Sequence, residues 1–474
     1  MILFAALISG IFLSFVSYSL QDKKNADALE RNYPESALPS PLGPVIKDPT
    51  LRTEIVLKGL TYATDMAFLG PDDILVTEKD TGAVRRIVNG VMLQDPLLDV
   101  NVATFGHRGM LGIAVSDNNS TLGGDKNSNH SSSISSSNNN DNFVSKYVFL
   151  YYTASQKEDG EDVIQGKQPL GNIVYRYEFV NNKLVNPKLL LVLPATPGAI
   201  GNGGKILVGP KDNNLYITIG GVGIDGHKTK AQNVRDGVDP DGTSGILVIT
   251  QDGRAASQIG ILGNVGPLNK YYAYGIWNSF GIDFDPVSRN VWDTENGVVF
   301  GDEINLVEPG FNSGWNKIDG IWLRGYPIAD AEAYVTPKQI DSLLVDFNGK
   351  GKYSPPKFTW FDDVGPTTIR FFNSDKLGNQ YQDDIFVGDI INGNIYHFDL
   401  NKERAELLLP FNSSLSDKIV SSNETDDEII FGKGFGGITD IEVGPDDGYM
   451  YVLTFDGSGK GTIYRIKADN ATDL

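Results

Sequence analysis

Residues 444–466 read GPDDGYMYVLTFDGSGKGTIYRI. A Pro/Asp turn starts the unit, an apolar run with strand character follows, and a Gly-rich turn reverses the chain into a second run. The same order recurs upstream. Residues 70–87 read GPDDILVTEKDTGAVRRI, 209–221 read GPKDNNLYITIGG, 285–297 read DPVSRNVWDTENG and 383–400 read DDIFVGDIINGNIYHFDL. A copy without the leading turn lies within residues 143–180, where VSKYVFLYYTA precedes GNIVYRYEFV. Hairpin units repeated at long spacing imply radial stacking, here an all-β, six-bladed β-propeller over residues 51–468. A β-sandwich is the competing architecture, but sandwiches do not repeat a strand-initiating turn at this spacing.

A loop full of Gly and acids follows the fourth unit. Residues 295–315 read ENGVVFGDEINLVEPGFNSGW, led in by an expected strand over Asn290–Thr294. Buried carboxylates need hydrogen bonds or cations. Asp302 and Glu303 therefore either cap backbone amides at the turn or line a cofactor or cation site. Two insertions break the repeat. Residues 116–142 form an Asn/Ser tract that can bury nothing and is expected to be a disordered surface loop containing His130. Residues 413–428 are a second polar excursion. Residues 318–352 join two units, with short helices expected near 328–334 and 338–344.

Composition bounds the function. The chain has 474 residues, no Cys and a net charge of −20. Without Cys there are no disulfides, thiolate metal sites or Cys nucleophile. An acidic surface repels phosphate backbones, which excludes nucleic acid as a partner, and it attracts calcium. Residues 1–20 are apolar and uncharged, roughly long enough to cross a bilayer. They read as a signal peptide or an uncleaved anchor. Either places the remainder outside the cell, secreted or held on the outer face of the cytoplasmic membrane. Residues 21–50 are Pro-rich and polar, a linker or extended lead-in, and 469–474 are a tail. Asn118, Asn119, Asn129, Asn412, Asn423 and Asn470 each begin a glycosylation triplet.

Several stretches, in order, resemble the glucose/sorbosone dehydrogenase family. They are Gly109–Ala114 (GMLGIA), Asn202–Ile206 (NGGKI), Ser244–Leu247 (SGIL), Tyr274-Gly275, Glu295-Asn296-Gly297, Gly301–Asn305 (GDEIN), Gly314-Trp315 and Gly444-Pro445-Asp446. The resemblance runs from about residue 51 to about 466. It implies a quinoprotein propeller that carries pyrroloquinoline quinone (PQQ) and calcium and oxidises sugars or aldoses. A His takes the sugar hydroxyl proton, and Arg and Lys pair with the three quinone carboxylates. Residue by residue, the family's His precedes the Asn-Gly-Gly run, where this chain has Gly201. The Arg before Asn278 is matched by Trp277, and a late Arg-x-Arg pair by Gly437 and Thr439. Cofactor-binding positions implied here are Arg108, Asn202, Trp277 and Asn278. Gly297 and Val298 match positions whose backbone carbonyls hold calcium.

With Gly201 in the family's His slot, the His107-Arg108 pair beside Gly109 supplies the candidate substitute base and anion clamp. The same residues also read as a polar contact at the top of a blade. His227, in a Gly/Asp/Lys loop, carries the same two readings. His397 lies mid-strand and reads as a satisfied sheet-face imidazole. Asp236, Asp239 and Asp241 read as turn formers, although oxygen ligands of this kind also suit calcium. Two functions follow. One is quinone-dependent sugar oxidation at a remodelled site. The other is a non-catalytic propeller that binds a sugar, a surface carbohydrate or a protein.

Overall fold

In two of the repeats the turn at the head is built by its Asp. Asp447 Oδ1 accepts the Tyr449 N–H at 3.1 Å and its other oxygen accepts the Tyr451 hydroxyl at 2.8 Å. Asp212 repeats the pattern with Asn214 and Tyr216, at 3.1 and 3.2 Å. The folded-back carboxylate explains the leading glycine: a Cβ at Gly444 or Gly209 would lie 2.1 or 2.2 Å from it. Gly70 leads a unit without this constraint, because Asp73 instead takes a two-pronged bond from Arg86.

The computed structural model describes residues 37–117, 146–156, 169–223, 226–256, 260–324, 336–410, 412–422 and 424–469. The apolar segment 1–20, residues 21–36 of the expected linker, nearly all of the 116–142 insertion, the expected helix near 328–334 and five of the six glycosylation triplets' asparagines lie outside them. Asn412 is described. Residues 37–50, expected as linker, are docked. Val45–Ile46 pairs antiparallel with Ile430–Lys433, and the Ala37 N–H donates to the Ile390 carbonyl. The helix expected near 338–344 spans Pro337–Leu343, capped by Thr336.

Antiparallel hairpins dominate the chain. The first sheet holds Ala63–Gly70, Asp73–Glu78 and Ala83–Val88, with two short outer strands. The second holds Met110–Asp117, Lys146–Ala154, Gly171–Val180 and Lys183–Leu193. The third begins with Ile206–Val208, Leu215–Ile219, Gly245–Ile249 and Tyr271–Tyr274. The fourth begins with Ser279–Phe284, Val291–Glu295, Asp302–Val307 and Phe358–Trp360. The fifth holds Pro366–Phe371, Ile385–Asp389, Asn394–Leu400 and Ile430–Lys433. In the last, Gly437–Val443, Met450–Phe455 and Lys460–Ala468 are joined by Leu51–Thr61 from the other end of the chain.

Apolar side chains fill the space between each sheet and the next. Leu111, Phe149, Ile217 and Leu247 bind the second sheet to the third. Trp292, Phe358, Ile385 and Phe398 bind the fourth to the fifth. Met66, Ile74, Leu453 and Ile463 bind the last to the first. The first strands of successive sheets also touch one another around a closed ring, Gly437–Val443 returning to Ala63–Gly70. Strands buried on both faces read as continuous apolar runs, as Ile246 to Ile249 and Val452 to Leu453 do. The architecture is an all-β propeller.

Candidate functional site

The ring places the start of every first strand near one axis. Thr64 and Asp65, Leu111, Lys205, Phe280, Thr367 and Thr439, one position or pair from each sheet, line a single cavity of about 320 Å³. The rest of its wall includes Lys79, Asn296 to Val298, Ile390 and Ile391, and Phe455, which lie at or just after the ends of second strands. Residues up to hundreds of positions apart meet because each blade contributes the same two points of its hairpin.

Of the residues expected at a site, His107, Trp277, Asn278, Gly297 and Val298 line this cavity. Arg108 and Asn202, expected with them as cofactor-binding positions, are not among its lining residues. Arg108 is buried with its guanidinium on the carbonyls of Ala195 and Gly198. Asn202 is spent on the Ala199 carbonyl and the Asn172 amide, at 2.8 and 2.9 Å. A buried polar group must find partners, and here these are backbone carbonyls of residues 195–199 together with the Asn172 side chain of the second sheet. His227 is paired with Asp241 at 2.5 Å, away from the cavity wall, and Asp241 also caps the Thr243 amide. That is turn chemistry.

The slot at Gly201 is occupied from elsewhere. Gly201 has φ +71°, and a Cβ there would lie 3.1 Å from the Trp277 ring. Gly221, on the same side, would meet that ring at 2.9 Å. The indole therefore rests on a glycine cradle and packs at a 36° tilt against Trp315, ring centres 4.3 Å apart. The missing side chain at 201 and the indole at 277 occupy one another's space.

His107 comes to the same place. The Gly201 N–H donates to His107 Nδ1 at 3.3 Å, and Asn278 Nδ2 lies 3.5 Å from the same nitrogen. A nitrogen that accepts carries no proton, so the neutral ring bears its proton on Nε2. Burial, then the charge of Lys79, hold its pKa down at about 4. At neutral pH His107 is an uncharged donor.

The cationic groups on the wall are Lys79 and Lys205, and no Arg is among the lining residues. Lys79 pairs with Asp80 at 2.7 Å. Lys205 is held between Asp65 and Asp440, at 2.5 and 2.6 Å. Thr439 lines the cavity and Gly437 starts its strand, so the late Arg-x-Arg positions carry no charge here.

Both expectations for the 295–315 stretch can now be weighed. Its strand runs Val291–Glu295. Asp302 accepts the N–H groups of Gly297, Val364 and Gly365 at 2.7 to 2.8 Å. Glu303 accepts the Gly320 N–H at 2.6 Å and the Ser313 hydroxyl at 3.0 Å, and Glu295 accepts the Trp277 N–H. Amide capping is what these acids do, and Glu295 thereby fixes the indole on the cavity wall. Asp363, packed against Asp302, does line the cavity beside Gly297.

Burial pushes Glu303 up to about 8 and Asp293 to about 7. A carboxyl whose folded pKa exceeds its unfolded value stabilises the fold below the unfolded value and loses that contribution as pH rises through the folded one. Stability is therefore expected to fall between about pH 5 and 8, with a slope of up to about 1.4 kcal/mol per unit for Glu303 across that window and for Asp293 up to about pH 7. Glu303→Gln keeps the acceptor but removes the titration, so urea midpoints at the two pH values should lie closer together in that variant. An unchanged gap would rule out Glu303 as the source.

A family model described as Glucose / Sorbosone dehydrogenase matches residues 136–465. An aldose sugar dehydrogenase of Escherichia coli K12 is 29% identical over 224 residues, 47% of this chain and 51% of that protein. The soluble aldose sugar dehydrogenase of E. coli in its apo form superposes with a TM-score of 0.61 at 20% identity, covering 88% of this chain and 100% of that one. The PQQ-bound aldose sugar dehydrogenase of Streptomyces coelicolor gives 0.55 at 19% identity, covering 90% and 100%. At these identities the solved structures speak for the propeller alone. The family match extends over more than half of the chain and contains the Asn-Gly-Gly and Gly-Asp-Glu-Ile-Asn landmarks, so the chain belongs to the glucose/sorbosone dehydrogenase family.

Proposed function

We propose that the axial cavity holds a neutral sugar-class ligand and that this chain is a binding member of its family. The observation that carries the reading is the charge of the wall. PQQ is a tricarboxylate, and burying it requires cations free to pair with it. Lys79 and Lys205 are already held by carboxylates, and Trp277 stands where the resemblance places an Arg. The residues present do not fit that group. They suit a sugar ring: a cavity of about 320 Å³ lies within the roughly 300–1,000 Å³ of small-ligand pockets. Trp277 and Phe280 offer apolar faces to ring C–H groups, while Asn278, Asn296 and His107 offer hydrogen bonds to hydroxyls.

A second reading, oxidation of that sugar, is favoured by the position of His107 against Gly201. In that reading calcium would be held at Gly297 and Val298, with Asp363 adjoining. We also infer six blades, supported by the six first strands touching in a ring and by the return of Leu51–Thr61 to the last sheet. Export by residues 1–20, as secreted or membrane-anchored protein, fits a sugar ligand met outside the cell.

One experiment separates the readings. The chain is titrated with a panel of aldoses by calorimetry, then with PQQ and calcium, and dye reduction is followed. Saturable sugar binding without quinone binding at micromolar concentration is expected. Tight quinone binding with turnover that His107→Ala abolishes would replace the binding reading with the oxidative one. No sugar bound at millimolar concentration would overturn the proposal.

A further inference from the structure

Far from the cavity-lining residues, the outer end of the fifth sheet carries a second group of ligating side chains. Ile385 pairs with Phe398 in the antiparallel register, which sets Asp384 opposite Asp399 at the next position. Phe386 pairs with His397, so His397 and Asp399 lie on one face with Asp384. Like charges directly opposite across strands are destabilising. Among the described residues, the side-chain ion pairs of Asp384 and Asp399 run only to His397. Arg404, close by in sequence, is committed to Asp285 and the Asp383 carbonyl.

We propose that Asp384, His397 and Asp399 form a binding site for a divalent transition-metal ion of the zinc class. His397 Nε2 lies 3.0 Å from Asp384 Oδ2 and 3.7 Å from Asp399 Oδ1. Each residue offers one ligand atom, and the three atoms lie within 4.8 Å of one another. Metal–ligand bonds of about 2.1 Å put neighbouring ligand atoms about 3.0 to 3.4 Å apart in octahedral or tetrahedral geometry, so a small inward shift of Asp399 closes the triangle. The imidazole is already oriented: its ring packs on Phe386 and Tyr381, centres 4.9 and 5.2 Å away. Asp384 is buried and Asp399 is exposed, which leaves the remaining coordination positions open to water or a further ligand. One imidazole with two carboxylates suits zinc, manganese or iron better than calcium, whose ligands are oxygen alone. A dication replacing the proton on His397 also neutralises the facing pair.

The test is calorimetric titration of the chelator-stripped full chain with zinc chloride at pH 7. With four His and no Cys in the chain, competing sites are few. One equivalent is expected to bind. His397→Ala should abolish it, and Asp399→Asn, at an exposed position, should weaken it by at least about tenfold. His227→Gln should leave it unchanged. Should His397→Ala fail to fold, Asp399→Asn decides alone. No saturable binding by the parent, or binding that His397 and Asp399 variants leave unaltered, overturns the site.

Discussion

Lys205→Met is expected to cost about 3–5 kcal/mol of folding stability, the range found when one partner of a buried ion pair is removed. Lys205 opens the third sheet, while Asp65 stands on Ala63–Gly70 and Asp440 on Gly437–Val443. The ammonium thus ties three sheets together across the axis of the ring. Both carboxylates are buried and also accept backbone amides: Asp65 takes Ile113 N–H at 2.8 Å and Asp440 takes Met66 N–H at 3.1 Å. Burial opposes the charge on Lys205, but Asp440 and Asp65 outweigh it and its pKa is raised. Methionine keeps most of the volume and leaves two buried carboxyls facing each other without their cation, and burial already pushes Asp65 up to about 8. Urea unfolding at pH 7 measures the loss. The triple variant with Asp65→Asn and Asp440→Asn should recover much of it, because no unpaired charge then remains. A single variant within about 0.5 kcal/mol of the parent, the scale of a surface change, would remove the lysine from this role.

The second large effect is expected at Trp277. Truncating a buried Trp to Ala generally costs about 3–5 kcal/mol, and here the indole is also the mould for the loops beneath it. A Cβ at Gly201 or Gly221 would press on that ring, Trp315 packs against it at a tilt and Glu295 holds its backbone amide. Trp277→Ala should lower the urea midpoint and weaken sugar binding by about tenfold or more, on the order of 1.4 kcal/mol for a lost platform. Trp277→Phe keeps a flat apolar face and should retain more of both. Sugar affinity unchanged in the Ala variant would show that the ligand does not rest on this ring. Stability and affinity are read separately, so a destabilised but binding-competent variant is informative.

The repeat was legible without coordinates because its causes are local. An Asp that caps a turn and receives a Tyr hydroxyl four residues on, as at Asp212 and Asp447, leaves its mark within five residues of sequence. The absence of cations at Gly201, Trp277, Gly437 and Thr439 was legible for the same reason: each position is anchored by an adjoining motif. Roles that depend on direction were not. His107 and Arg108 are neighbours in the chain, yet one side chain enters the cavity and the other is consumed by the carbonyls of residues 195 and 198. Asn202 sits in a landmark motif, yet its side chain is used by the Ala199 carbonyl of its own loop and by Asn172 on the second sheet.

By itself, then, the sequence determined the all-β repeat, the family and the depletion of positive charge around the expected cofactor position. The tertiary structure alone decided that Lys205 is pinned between Asp65 and Asp440, that Trp277 fills the space left by Gly201, and that Asp384, His397 and Asp399 meet. The reason is physical. Turn and strand preferences act over a few residues, whereas these contacts arise when sheets close into a ring and bring together strands whose separation in sequence carries no signal of their proximity.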